Sequence, residues 1–162
     1  MVIGLHLCPF AAKVYLDNQL SFKVLPYSES ALLQAINTAV AQMLDDADPI
    51  STVIIVLSEG LDRFEDYLDV YYGIEEELSR CGLDADIQLA SFHPEYVFAD
   101  ADPDAVTNYT NRSPYPSIHI LRVADVHQAI SAHADVHGIP EKNKETLKNH
   151  GLAEVLRLVG QG

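Results

Sequence analysis

The feature that most constrains the fold is an unbroken apolar run, Ile50–Leu57, with the sequence ISTVIIVL. Five consecutive residues of this run are β-branched, which is typical of a central β-strand covered on both faces. On either side of it, residues 29–47 and 64–81 carry apolar side chains at helical spacing. Because helices beside such a strand bury their apolar stripes against a sheet, the run predicts a layered α/β domain.

The other apolar runs complete an alternating order of strands and helices. Further strands are predicted at Leu20–Leu25, Ile87–Phe92 and Ile118–Leu121. After the last strand, one helix ends at Gly138 and another begins at Pro140. This alternation predicts a single α/β domain over residues 1–162, in which helices flank a mixed, largely parallel sheet.

A long segment without helical or alternating pattern, at about residues 93–116, separates two of the predicted strands. Loops of this length are uncommon inside a compact domain and are usually either functional or disordered. Here the aromatic residues and prolines predict an ordered loop. Since ligands of open α/β sheets bind beyond the carboxyl ends of strands, and the loop begins at such an end, we expect the functional site there.

Composition narrows the partners and the compartment. The chain has 24 acidic and 10 basic residues and a net charge of −14, so neither nucleic acid nor an anionic membrane is an expected partner. Its two cysteines make no disulfide framework. No apolar run approaches the length of a membrane span, and the first residues do not resemble a signal peptide. A cytoplasmic protein is therefore predicted.

Two side chains are candidates for catalysis, Cys8 and His93. Cys8 follows the apolar segment Val2–Leu7; at a strand-to-helix turn its thiol can become a nucleophilic thiolate, whereas in a core it is only a small hydrophobe. His93 directly follows a predicted strand. There it can serve as acid, base or ligand, or its side chain can cap the loop by hydrogen bonding to the loop backbone. Cys81, on the apolar stripe of a helix, is expected in the core.

The candidates for ligand binding lie in the second half of the long loop and in the strand after it. Arg112 is one of two basic residues in residues 82–141, which contain nine acidic ones. Its guanidinium can bind a carboxylate or phosphate of a ligand, or it can clamp acids and carbonyls of the loop itself. The predicted ligand-binding residues are Asn108, Asn111, Arg112 and His119.

The sequence specifies no cofactor and predicts no metal site. Cys8, His93 and His119 lack the spacing of a zinc motif. The run that begins at Asp100 imitates the start of a calcium loop but lacks its glycine and its closing glutamate. His133 and His137, four residues apart on a predicted helix, are expected at the surface.

Three segments of the chain carry a family resemblance. They are GLHLCPFA (Gly4–Ala11), LASFHPEYVFA (Leu89–Ala99) and NYTNRSPYPSIHILR (Asn108–Arg122). They resemble an uncharacterised bacterial family, domain of unknown function fourteen-fifteen, and the resemblance extends over nearly the whole chain. It implies no activity, since the family has none established. It implies signature positions at Cys8, His93, Asn108, Asn111 and Arg112.

A narrower resemblance concerns the tetrapeptide Cys8–Ala11. A strand, this tetrapeptide, a helix and a second strand are similar to the opening of glutaredoxin-like folds. Because Ala11 stands in place of a second cysteine, that resemblance implies monothiol redox chemistry. The predicted helix at residues 62–81 stands where such folds have a hairpin.

Several functions stay open on the sequence alone. The first hypothesis is an enzyme that acts on a small anionic metabolite, with chemistry at Cys8 or His93 and anchoring by Asn111 and Arg112. The second is a non-catalytic ligand-binding or regulatory module for such an anion, and the third is a monothiol redox protein. The aromatic loop also suits a homodimer interface, since tyrosine and arginine are common interface anchors.

Overall fold

The computed structural model describes residues 1–45, 50–131 and 138–160. Within these residues the strands are β1 (Leu20–Leu25), β2 (Thr52–Leu57), β3 (Ile87–Phe92) and β4 (Ser117–Arg122). The helices are α1 (Ala11–Leu16), α2 (Glu29–Met43), α3 (Phe64–Arg80), α4 (Val123–Ser131) and α5 (Ile139–Leu158), with a short 3-10 helix at Val106–Thr110. The predicted α/β class is confirmed. No helix in this part of the chain is long and apolar enough to cross a membrane.

The sheet is mixed, but the prediction that it is largely parallel is wrong. Its strand order is β1-β2-β4-β3, and only the β1–β2 pairing is parallel. β1, β2 and β3 run in the same direction, but the chain reverses after β3 and returns as β4. β4 inserts between β2 and β3 instead of adding to an edge, so both of its pairings are antiparallel. This insertion makes two of the three strand pairings antiparallel.

The main core lies between one face of the sheet and the helices α2 and α3. α2 begins where the Ser28 hydroxyl accepts a hydrogen bond from the Ala31 N–H at 3.3 Å, as an N-cap does. Its apolar stripe and that of α3 meet the inward side chains of the two central strands. The fully buried members of this core are Ala39, Val53, Ile55, Leu57, Tyr67, Ile118 and Ile120.

The opposite face of the sheet is covered far less than the sequence predicts. We call it the outer sheet face, and its apolar side chains are Leu20, Phe22, Val24, Ile54, Val56, Ala90, Phe92 and Leu121. Ile54 and Val56 of the central strand are only half-buried there. Their neighbours on β1, Phe22 and Val24, are 57% and 68% exposed. Thr52 and Ser117 of this face are buried, each 6% exposed, so the expectation that the ISTVIIVL strand is covered on both faces holds fully for one face and in part for the other.

The segment before Cys8 packs against the other end of the chain. Met1–Pro9 forms turns, so no strand precedes the cysteine. A second, smaller core joins this segment to the 3-10 helix and α5 through Leu7, Tyr109, Leu147 and Val155. Gly151, with a φ of 74°, interrupts α5. The two ends of the chain and the long loop thus meet in one cluster.

The predicted burial of Cys81 is wrong. α3 ends at Arg80, and Cys81 is the C-cap residue, one turn beyond the last buried side chain, Leu78. Its thiol is exposed beside the Glu77 carboxylate. The apolar spacing continued past the point at which the helix leaves the core.

Candidate functional site

His93 is fully buried at the end of β3, where the long loop begins. Its Nδ1 accepts a hydrogen bond from the Glu95 N–H at 3.0 Å, and its Nε2–H donates to the Leu61 carbonyl at 2.9 Å. These bonds select the neutral tautomer protonated on Nε2 and occupy both ring nitrogens. The ring therefore ties the loop to the turn after β2, as the loop-capping alternative proposed.

Asn108 is also fully buried, and its side chain closes a turn of the loop. Its Oδ1 accepts a hydrogen bond from the Phe98 N–H at 3.3 Å. Its Nδ2 donates to the carbonyls of Asp102 and Pro103, at 2.9 Å and 3.2 Å. All three of these bonds go to the main chain. The amide therefore pairs main-chain groups that a neighbouring strand would pair in a sheet.

Arg112 is a clamp on the loop rather than a free guanidinium. Its Nε–H donates to the Tyr96 carbonyl at 3.1 Å, and its Nη2 donates to the Pro103 carbonyl at 2.7 Å. The guanidinium carbon lies 4.9 Å from the centre of the Tyr109 ring, a cation–π distance. Of the two alternatives for Arg112, the geometry matches the one in which it binds loop carbonyls.

Asn111 completes this set of main-chain contacts. Its Nδ2 donates to the Ser91 carbonyl at 3.0 Å, and its own carbonyl accepts from the His93 N–H at 3.2 Å. The structure thus brings four of the predicted site residues into one loop, where each binds main-chain groups. The side chains that order the loop are His93, Asn108, Asn111 and Arg112.

Cys8 precedes α1 and is not among the side chains that order the loop. It is half-buried, and the carbonyl of the preceding Leu7 accepts a hydrogen bond from Asn143 Nδ2 of α5 at 2.7 Å. Among the described residues, no hydrogen bond or ring contact joins Cys8 to His93 or Arg112. Because turns precede Cys8, the strand-to-helix arrangement that the glutaredoxin-like resemblance requires is absent.

His119 lies on the outer sheet face, close to the ring of Phe92. The Thr52 hydroxyl donates to the Ile120 carbonyl at 2.8 Å, so it accepts a hydrogen bond from His119 Nε2–H. Desolvation by burial lowers the pKa of His119 to about 4. At neutral pH the imidazole is therefore uncharged, and it faces away from the core side of the sheet.

This depressed pKa predicts a loss of stability in acid. The unfolded chain takes up a proton on this histidine near pH 6.5, whereas the folded chain does so only near pH 4. Unfolding is therefore favoured as pH falls between these values, by about 2–3 kcal/mol for a partly exposed ring. Denaturant unfolding at pH 7 and pH 4 measures this loss. His119→Gln removes this titrating group, so between pH 7 and pH 4 the variant should lose about 2–3 kcal/mol less stability than the native protein. Equal losses in the variant and the native protein would contradict the assignment.

A cleft of about 590 Å³ separates the long loop from the first half of α5. This volume is within the range of small-molecule sites. One wall is formed by the loop and the other by α5. Its apolar lining consists of Phe98, Ala101, Ala105, Ile139 and Pro140. A larger concavity of about 760 Å³ is lined by α2 alone, so it has no second wall to enclose a ligand.

Two lysines on α5, one helical turn apart, give the cleft its positive charge. Lys144 Nζ lies 2.9 Å from a Glu141 carboxylate oxygen, and this pair raises the pKa of Lys144. No ion pair of the described residues includes Lys148. Lys148 is exposed and, within the described ranges, its ammonium group pairs with no carboxylate, so it can meet a ligand; Asp100 is the acidic residue of the lining.

Sequence reasoning missed the α5 side of this cleft. Lys144 and Lys148 are spaced by four residues, which places them on one helix face, and that spacing was the available signal. The sequence could not show which part of the chain α5 packs against. The structure shows that it packs against the 3-10 helix within the long loop, a helix that the sequence pattern also missed.

Metal ligands do not converge in the described part of the chain. No three histidine, cysteine or acidic residues lie close enough there to hold an ion. In the calcium-like run, the Asp102 carboxylate accepts from the Asp104 N–H at 2.8 Å, which is an ordinary turn. His133 and His137 lie outside the described residues.

Comparison with known proteins places the chain in a family but gives it no described activity. Searches of curated proteins and of solved structures found no match. The family model described as "Protein of unknown function (DUF1415)" matches residues 1–157. This match includes the cysteine segment, the long loop and most of α5. The chain therefore belongs to the DUF1415 family.

Proposed function

We propose that this protein is a non-catalytic binding module for a small organic anion, which occupies the cleft between the long loop and α5. The observation that carries the proposal is the pair Lys144 and Lys148, which lines a ligand-sized cleft in a chain of net charge −14. In so acidic a chain, few basic side chains can bind an anion. Its position in a cleft supports recognition of a discrete ligand.

The lining indicates the class of ligand. Phe98, Ile139 and Pro140 offer an apolar surface, and Lys148 offers a mobile cation beside it. A ligand with an apolar body and one carboxylate or phosphate group satisfies both parts, because the apolar body displaces water while the anion pairs with the ammonium group. A simple inorganic anion would use only the lysine.

The contacts of the predicted catalytic residues support binding rather than chemistry. Both ring nitrogens of His93 are occupied by main-chain groups. The cleft lining does not include Cys8 or His93. A nucleophile or general base must reach the reacting atom within about 3 Å, so we propose a ligand that is bound without chemistry at these two side chains. We place the module in the cytoplasm, since an acidic chain with two free thiols suits a reducing compartment.

Lys148→Glu is expected to weaken binding of phenyl phosphate about tenfold or more. Phenyl phosphate serves as the probe because it combines an apolar ring with an anion, and a ligand of its size should bind with a Kd of about 1 mM. Reversing the charge replaces an attraction of about 1 kcal/mol by a similar repulsion. Titration followed by amide chemical shifts in NMR gives the Kd and shows which residues respond.

The matched control is Lys142→Glu, which makes the same charge change on the same helix but outside the cleft lining. It should change the Kd less than twofold, and Cys8→Ser should not change it. Equal weakening by Lys142→Glu and Lys148→Glu would mean that only the overall charge matters. Shifts confined to residues outside the cleft would overturn the proposal.

A further inference from the structure

We infer that the outer sheet face is the interface of a homodimer, in which the same face of a second copy packs against it. The starting observation is the exposure of its apolar side chains on β1, where Phe22 and Val24 are 57% and 68% exposed. Tyr15 and Leu16, at the end of α1 just before this strand, are 58% and 75% exposed. Phe22 and Val24 are neighbours on one face of β1, and adjacent exposed apolar side chains of this kind mark interaction sites.

The charge distribution selects a second copy as the occupant. In all four strands, the side chains that point to the outer sheet face are uncharged at neutral pH, since Lys23 and Arg122 point to the other face. The chain as a whole carries a net charge of −14. Two copies therefore repel each other in most orientations, and this face is a surface through which they can meet without placing like charges in contact.

Three of the four polar side chains of the face, those of Thr52, Ser117 and His119, are already hydrogen-bonded within the chain, and the fourth, Gln88, is exposed. The Thr52 hydroxyl donates to the Ile120 carbonyl, and His119 donates to that hydroxyl. The Ser117 hydroxyl donates to the Tyr115 carbonyl at 2.9 Å. Covering these strands with a second copy would leave none of these three groups without a hydrogen bond, so burial carries little polar cost.

The dimensions of the face set the expected strength. Four strands spaced by about 4.8 Å and six residues long, at about 3.3 Å each, span roughly 400 Å². A stable interface needs about 800 Å² from each partner. The four strands alone provide about half of that value. The dimer should accordingly dissociate with a Kd of about 10–100 μM and follow two-fold symmetry, the commonest arrangement for identical chains.

Sedimentation equilibrium of the full chain, from about 1 μM to about 500 μM, tests this inference. The native protein should change from monomer to dimer over that range. Val24→Asp places a carboxylate at a strongly exposed position of this uncharged face. The variant should remain monomeric at about 500 μM. The control Asn37→Asp adds the same charge on the exposed face of α2 and should dimerise like the native protein.

Salt provides a second measurement that does not depend on a variant. Because the interface is apolar and the two copies repel each other, raising salt from about 10 mM to about 150 mM should strengthen the dimer several-fold through screening. An interface built from ion pairs would weaken instead. A native protein that stays monomeric at about 500 μM in both salts, or equal loss of dimer in Val24→Asp and Asn37→Asp, would overturn the inference. Circular dichroism of both variants verifies that they are folded.

Discussion

His93→Ala is expected to lower the free energy of unfolding by about 3–5 kcal/mol, the largest effect of any substitution considered for this protein. The imidazole is fully buried between the rings of Phe64 and Tyr67, whose centres lie 5.3 Å and 5.1 Å from it. Its removal leaves a cavity and two unpaired main-chain groups, the Leu61 carbonyl and the Glu95 N–H. Each unpaired buried group costs about 1–3 kcal/mol, and the cavity adds to that cost.

The Leu61 bond matters because it holds a strained turn. Leu61 has a φ of 56°, in the left-handed region that a non-glycine residue rarely adopts. Gly60 beside it has a φ of 82°, and an added Cβ would lie 3.0 Å from Tyr27 Cβ. A turn with two consecutive left-handed residues needs a partner that fixes it, and the His93 side chain supplies one from the far end of β3.

Thermal and denaturant unfolding measure this effect. For a chain of this size the loss should lower Tm by about 8–15 °C. The control is His127→Ala, which removes an exposed histidine from α4 and should change the stability by less than about 0.5 kcal/mol. A loss below about 1 kcal/mol for His93→Ala would show that the two main-chain bonds are not formed in solution.

The order of strands and helices could be predicted from the sequence because each element carries its own periodicity. Ser28 and the break at Gly151 are local signals, and both mark real boundaries. The position of β4 has no such signal. Its apolar alternation is the same whether it lies at an edge or between β2 and β3, so the largely parallel sheet was a default expectation that the pairing of Ile55 with Ile118 contradicts.

The burial of the central strand shows a related limit. The run around Ile54 is as apolar on one side as on the other, which predicts two covered faces. The helices α2 and α3 cover only the inner one. An apolar pattern predicts that a surface is buried. It does not predict whether the surface is buried by the same chain or by a second copy.

For the candidate site, the sequence predicted residues that the structure brings together in one loop, and their roles in catalysis or ligand binding stay predictions. His93, Asn108, Asn111 and Arg112 do meet in one loop, yet their polar atoms bind its main chain. A long loop without strands or helices has many carbonyls and N–H groups to satisfy, so polar side chains in it are required by folding as much as by ligands. The lysines of α5 became visible only when the packing of α5 against the loop was known.

Asn108→Asp separates these two roles, because it preserves the shape of the side chain and exchanges two donors for an acceptor. The introduced carboxylate would face the Asp102 and Pro103 carbonyls, which Asn108 Nδ2 now approaches at 2.9 Å and 3.2 Å. We expect a loss of about 3–4 kcal/mol at pH 7, from two lost hydrogen bonds and the repulsion between buried oxygens. The chemically identical change Asn37→Asp, on the exposed face of α2, should cost less than about 0.5 kcal/mol.

The pH dependence of the Asn108→Asp penalty identifies its cause. Burial beside two carbonyls raises the pKa of the introduced carboxyl above that of the unfolded chain. As pH falls through that raised pKa, the folded variant gains a proton and can donate one of the two lost bonds. The stability gap to the native protein should therefore narrow between pH 7 and pH 4, as denaturant unfolding at both values can show. A pH-independent gap would place Asn108 outside the hydrogen bonds that close the loop.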